Sequence, residues 1–275
     1  MQEDIVKGDT IYCWYDSLDE FAEAAERRHG TDGRASDYSG QDRWAGGSFR
    51  QALDYARVGW EAKLDETLAI AESAITMVEK DHTLKAFVPV WDVAGCEVDV
   101  ARYLSGEPEN MIDFPVTEVS KLGKVITLCA SISASSAVSV EALTRRGQVL
   151  AAFAMLITRL GYSCELWIDQ TCGYSYTYSQ KVMVKGTNDT VDPSRIVAAF
   201  AHPTMLRQLS FSVEDGVPEF WYRKALRTGR GTPKPPVRNL PEGTIYLPEL
   251  CSDRDVPDAD ELLKDLLRQA DLLVD

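Results

Sequence analysis

Lys124-Val-Ile-Thr-Leu-Cys-Ala-Ser-Ile-Ser133, continued by Ala134-Ser-Ser-Ala-Val-Ser139 and a long run from Val140 to Leu160, decides the fold. The first ten residues are apolar and rich in β-branched side chains, the pattern of a strand covered on both faces. A serine-rich turn then gives way to a helix. Leu150 to Ile157 is apolar on every side, as a helix held against a sheet requires, and Gly161 supplies the stop. Tyr162 to Asp169 (YSCELWID) reads as the next strand. Strand, long helix, strand is the opening of a parallel α/β sheet, with the 125–133 strand central and the 162–169 strand beside it.

Toward the C-terminus, Tyr176 to Lys185 reads as an antiparallel edge strand reached across a loop from Gln170 to Ser175. Asp192-Pro193 opens a helix through Phe200. His202-Pro203 interrupts it, and Met205, Leu206 and Leu209 resume an apolar face up to Phe211. A loop rich in proline, glycine and bases spans 222–243. Thr244 to Leu250 is a late strand, and Asp258 with Glu261 caps a final helix carrying Leu262, Leu263, Leu266, Leu267, Ala270 and Leu273.

Toward the N-terminus, Thr10 to Tyr15 is a strand, and Ser17 with Glu20 opens a helix burying Leu18, Phe21, Ala22 and Ala25. A loop from His29 to Gly47 leads to Ser48, which caps a helix through Phe49, Ala52, Leu53 and Ala56. Leu64 to Val78 continues it or forms a second helix after Gly59. A strand from Ala86 to Val93 and a short helix from Val98 to Leu104 follow. The fold class is therefore α/β, a mostly parallel Rossmann-like sheet at 119–275, with residues 1–118 as an α-rich elaboration packed on it.

The chain has 275 residues, 45% apolar and 26% charged, enough for a sizeable core. Its formal charge of -14 excludes a general nucleic-acid or anionic-membrane binder but not a local patch. Six cysteines without a CxxC pair read as reduced and packed. No window reaches the roughly 20 apolar residues of a membrane span, and no secretory leader opens the sequence, so an intracellular, soluble chain is expected. His29, His82 and His202 are scattered, which argues against zinc. His202, at its helix break, is read as structural rather than as a base near Cys129 or Cys164. No phosphate loop, GxSxG, HExxH or dinucleotide fingerprint is present.

Two stretches stand out. Ser131-x-Ser133-x-Ser135 lies at the carboxyl end of the first parallel strand, where open α/β sheets bind ligands. Hydroxyls there, beside the free amides of the helix N-terminus, suit a helix cap, an anion or, with carboxylates added, a hard oxygen-ligated cation. Residues 222–238 carry Arg223, Lys224, Arg227, Arg230, Lys234 and Arg238 with no acid. This set either is solvated or holds phosphate or nucleic acid, with Trp221 and Tyr222 available to stack on bases.

The order strand, long helix, strand, antiparallel edge strand, helix, late strand resembles the von Willebrand factor A domain, whose metal-ion-dependent adhesion site places Asp-x-Ser-x-Ser at this turn. Here the turn retains the serines, but Ser131 replaces the aspartate, and Asp253 after the late strand is the candidate carboxylate. The resemblance implies a degenerate ion site or interaction rim at Ser131, Ser133, Ser135 and Asp253. No resident cofactor is expected, and at most weak Mg²⁺ binding, because hydroxyls alone do not offset dehydration of the ion. Trp44-Ala-Gly-Gly-Ser-Phe49, Gly59-Trp60, Val93 to Met111, Arg145-Arg-Gly147 and His202 to Arg207 together resemble a group of uncharacterised tailed-bacteriophage proteins. That resemblance implies a phage origin and the host cytoplasm. The expected function is non-enzymatic protein binding, with a co-encoded MoxR-type AAA+ ATPase as the partner class such domains imply. The rival readings are a metal-assisted enzyme acting on nucleotides or nucleic acid, and a virion component or acidic DNA mimic.

Overall fold

The computed structural model describes residues 4–30, 42–81, 90–95, 97–113, 125–190, 192–227, 229–230, 232–235 and 240–273. In chain order these form β1 (Ile5–Lys7), β2 (Thr10–Tyr15), α1 (Leu18–Arg28), α2 (Asp42–Ala45), α3 (Phe49–Val58) and α4 (Leu64–Asp81). Next come β3 (Val90–Asp92), β4 (Glu97–Val98), α5 (Val100–Ser105) and β5 (Met111–Asp113). The remainder is β6 (Val125–Ser131), α6 (Val140–Arg159), β7 (Ser163–Gly173), β8 (Thr177–Lys185), α7 (Pro193–Ala201), α8 (Phe211–Asp215), α9 (Glu219–Trp221), β9 (Ile245–Leu247) and α10 (Ala259–Gln269). A π-helical stretch, Met205–Ser210, runs into α8, and another, Tyr222–Leu226, continues α9.

Six strands make one mixed sheet in the order β1-β2-β8-β7-β6-β9. Three of its five pairings are parallel, namely β2 with β8, β6 with β7 and β6 with β9. The decisive stretch forms a strand beside β7 as expected, but it is not central: β6 ends at Ser131 and is the fifth of the six strands, between β7 and the edge strand β9, because β8 and β2 extend the sheet on the far side of β7. Helix α6 buries every residue from Arg146 to Ile157. That burial explains why its hydrophobic pattern has no polar face: α4, α7 and α10 pack around α6. Gly147 lets two helices meet at the backbone, because a Cβ there would lie 2.1 Å from the Phe200 carbonyl oxygen.

Three further sequence expectations need correction. β8 is not an edge strand, because β2, Thr10–Tyr15, pairs with it in parallel and β1 closes that side. Alternate β2 residues Ile11, Cys13 and Tyr15 are buried, so the strand gains a covered face only inside the sheet. The loop expected at 170–175 is mostly strand: β7 runs on to Gly173, whose φ of 124° and close approach to the Tyr176 carbonyl make the turn that follows. The start of the basic stretch, Tyr222–Leu226, is helical rather than loop. The predicted strand residues 86–89 and most of the 29–47 loop lie outside the described residues.

Helix boundaries follow their caps. Ser48 and Gln51 close a reciprocal capping box on α3, and Gly59 ends it at φ 101°, so 49–78 is two helices. Asp192 receives the Ser194 and Arg195 amides ahead of Pro193, and Asp258 receives that of Asp260. β3, β4 and β5 form a separate three-stranded antiparallel sheet in the order β3-β5-β4. With α5 they make a small module at 90–113. Neither β4 nor β5 was legible, since two or three residues carry no measurable alternation.

Candidate functional site

The serine turn is knitted into the sheet. Ser131 and Ser133 are buried. The Ser133 hydroxyl donates to the Thr171 carbonyl at 3.2 Å and accepts from the Thr171 amide at 3.0 Å, replacing a ladder rung between the chain after β6 and β7. The Ser133 amide donates to the Ser131 hydroxyl at 3.3 Å. The Ser133 carbonyl accepts from the Leu250 amide at 3.0 Å, and the Ser135 amide donates to the Leu250 carbonyl at 2.8 Å. The Ser135 hydroxyl accepts from the Ala137 amide at 3.3 Å.

Asp253 does come to this rim. Its Oδ1 accepts from the Ser139 amide at 2.7 Å, so it caps α6 beside Ser139, whose own hydroxyl accepts from the Ala142 amide at 3.1 Å. Those bonds from Ser139, with Arg145 nearby, hold the carboxyl below its ordinary range. Among the described residues no three histidine, cysteine, aspartate or glutamate side chains gather as a metal cluster. Asp253 thus meets the turn at Ser139, whereas Ser131, Ser133 and Ser135 bond within the turn and to Thr171, and the chemistry these groups perform here is capping and stitching.

Two arginines that lie in the stretches resembling phage proteins, Arg146 and Arg207, support this turn from inside. Arg146 donates to the Ser131 carbonyl at 2.9 Å and to the Pro248 carbonyl at 2.5 Å. Arg207 donates to the carbonyls of Trp44 at 2.7 Å and Val138 at 2.6 Å, with its guanidinium 4.5 Å from the Trp44 ring centroid. Burial lowers both guanidinium pKa values to about 10, so both remain charged at neutral pH. Arginine is rarely buried without an acid beside it, and no sequence spacing announced these two.

The basic stretch is not one patch. Arg223 pairs with Glu219 one helical turn away, and Lys224 lies 5.9 Å from the Tyr176 ring centroid. Arg230 is held by Glu214 and Asp215 and sits over the rings of Phe211 and Tyr222. Lys234 donates to the Tyr174 carbonyl and to the Thr177 hydroxyl at 3.2 Å. Arg227 is exposed, and Arg238 lies outside the described residues.

Arg227 and Arg230 nevertheless meet the serine turn across a cleft of about 330 Å³. Its wall also includes Trp44, Ser136, Arg207, Phe211 and Tyr222. The cleft opens at the carboxyl end of β6, between the directions taken by β7 and β9, which is the switch point where open α/β sheets take ligands.

His202 is neutral and structural. Its Nδ1 shares a 2.8 Å hydrogen bond with Thr204, and its ring packs on Tyr55 and Trp60. Burial lowers its pKa to about 4. His29 stacks on Phe49, and His82 lies outside the described residues. The described cysteines, 13, 129, 164, 172 and 251, are free thiols. No described helix is long and apolar enough to cross a membrane.

The 90–113 module differs from all of this. Between residues 91 and 112 no described side chain is buried. Trp91, Val93, Val98, Val100, Tyr103 and Leu104 are 38–78% exposed, six of the thirteen large apolar side chains so exposed in the described chain. The segment also carries Asp92, Glu97, Asp99, Glu107, Glu109 and Asp113 against Arg102, a net of -5. Individually common residues concealed this in the sequence, where Val98 to Leu104 passed for an ordinary short helix.

The chain belongs to a family described as a domain of unknown function (DUF7192), whose model matches residues 7–274. The match takes in the rim and the 90–113 module alike, so both are parts of one family domain. No curated protein and no solved structure matches the chain.

Proposed function

We propose that this protein is a non-enzymatic adaptor that docks another protein through the 90–113 module. The observation that carries the reading is the concentration of six exposed apolar side chains on a module with no buried side chain among its described residues. A three-stranded sheet of two- and three-residue strands has little independent stability, and large apolar side chains left exposed in such number on one short segment suit an interaction site. The segment's net charge of -5 favours a partner face that combines apolar and basic side chains.

The same reading takes the main sheet as a degenerate von Willebrand A-like platform. In support, β6, α6, β7, antiparallel β8, α7 and late β9 follow in that order, and Asp253 reaches the serine turn. It further takes the chain as phage-encoded and acting in the host cytoplasm, with a co-encoded MoxR-type ATPase as the first partner to try. A photo-cross-linking residue in place of Leu104 is the direct test. The expected result is a discrete protein adduct that disappears with Val100→Asp and weakens at high salt. Failure to form any protein adduct, or an adduct indifferent to Val100→Asp, would overturn the proposal.

A further inference from the structure

We infer that the rim cleft is a binding site for a small phosphate-bearing ligand of mononucleotide size. Position, charge and shape each contribute. The cleft lies at the strand-end switch point, and its volume of about 330 Å³ falls at the lower end of the range, about 300–1,000 Å³, in which small ligands are held. That suits a single nucleotide rather than an oligomer.

Among the described residues lining it there is no acid, on a chain whose formal charge is -14. Arg207 is 1% exposed, and its two side-chain hydrogen bonds go to carbonyls, which orient the guanidinium without neutralising it. No described carboxylate pairs with Arg207 or with Arg227. Arg230, on the same wall, has its charge spent on Glu214 and Asp215. A desolvated cation without a counter-charge is costly to fold around. An anion in the cleft offsets that cost, and Arg227 closes on it from the solvent side. Guanidinium forks match phosphate oxygens in pairs, and the rings of Trp44, Phe211 and Tyr222 on the same wall offer a planar body apolar contact.

This site is separate from the 90–113 surface, so the two readings fail independently. The test is titration calorimetry on the full chain with ADP, inorganic pyrophosphate and adenosine. ADP should bind, at least about tenfold tighter than pyrophosphate, and Arg227→Glu should weaken it about tenfold or more, as loss of a charge-assisted bond does. Arg207→Lys keeps the buried charge but loses the paired fork, and should weaken ADP with the fold preserved by circular dichroism. Absence of ADP binding at millimolar concentration would overturn the site. So would equal affinity of the parent and Arg227→Glu, equal affinity for ADP and pyrophosphate, or displacement of ADP by a glutamate-rich peptide at lower concentration.

Discussion

The strand-end rim and the 90–113 module treat polar and apolar groups in opposite ways. At the rim, residues that look reactive in sequence are consumed by the fold: Ser133 completes a strand pairing, Ser135 and Asp253 satisfy backbone amides, and Arg146 holds two carbonyls. In the module, residues that belong in a core stand in solvent, with Leu104 78% exposed. A motif therefore marks a site only if its polar groups are left over after the backbone has been satisfied. An apolar side chain marks one only if folding leaves it uncovered.

Glycine substitutions should break the comparison most forcefully. Gly147→Ala drives a methyl group into the Phe200 carbonyl and the Ala201 Cα, where helix backbones meet and cannot yield. A loss of about 3 kcal/mol or more is expected, at or beyond the top of the usual overpacking range. Gly106→Ala meets no atom within 4 Å, and its cost is only that of the left-handed φ of 77°, about 1–2 kcal/mol and confined to the end of α5. Urea unfolding of both variants checks the ranking. Equal losses would mean that the module and the main sheet unfold as one closely packed body.

Much of the architecture was readable because burial repeats along the chain. The run 124–133, the unbroken apolar face of 150–157 and the caps at Ser48, Asp192 and Asp258 each declare one element and its neighbours. The site was less readable, because its members are brought together by topology. Trp44, Arg207 and Arg227 are separated by 163 and 20 positions, and only the return of α7 and the following π-helical stretch to the β6 end puts them on one wall. Ser131 and Asp253 were found in sequence by position at strand ends. What sequence did not show is that the Ser131 hydroxyl and one Asp253 oxygen already accept backbone amides. The module escaped notice because β4 and β5 are too short for a period to register.

Acid–base behaviour should sharpen the contrast at an intermediate scale. Asp169 on β7 is 0% exposed, with Oδ1 unpartnered among the described residues and Oδ2 accepting from the Thr171 hydroxyl at 3.4 Å. Burial raises its pKa to about 7, with Glu249 adding to the rise and Lys181 and Thr171 opposing it. Glu214 is likewise raised to about 7 by burial, against the pull of Arg230. Both folded values lie above the unfolded carboxyl range of about 4, so the native state holds more protons between about pH 4 and 7. These groups therefore remove stability as pH rises through that window, and the full penalty stands above it. Asp169→Asn should be more stable than the parent at pH 8, by of order 1–3 kcal/mol, and little different at pH 4. Urea midpoints across the range test this, and a variant less stable at pH 8 would show that the ionised carboxylate is bound favourably. Between residues 91 and 112 no described carboxylate is buried, and Asp99 is held below its ordinary range by the Arg102 amide and the Trp91 indole, so substitutions there should leave the fall in stability between about pH 4 and 7 unchanged.

The smallest stability effect carries the most functional information, and it needs a rim control. Ser133→Ala removes the hydroxyl that both donates to and accepts from Thr171, leaving the buried Thr171 amide without its acceptor, while the Thr171 carbonyl keeps the Lys234 amide at 2.9 Å. That should cost about 1–3 kcal/mol. Leu104→Ser removes an apolar side chain that the folded chain already leaves in solvent, so its stability should change by no more than about 0.5 kcal/mol. Partner capture should reverse the order. Loss of Leu104 from a docking surface should weaken association at least severalfold, whereas Ser133→Ala, once folded, presents an unaltered module. Stability is read by urea unfolding and association by the yield of a photo-cross-link, its reactive residue moved from position 104 to replace Tyr103 so that position 104 can be varied. If Leu104→Ser instead destabilised the chain as much as Ser133→Ala, Leu104 would be serving the chain's own fold, and the distinction between a saturated rim and an unsatisfied module would fall.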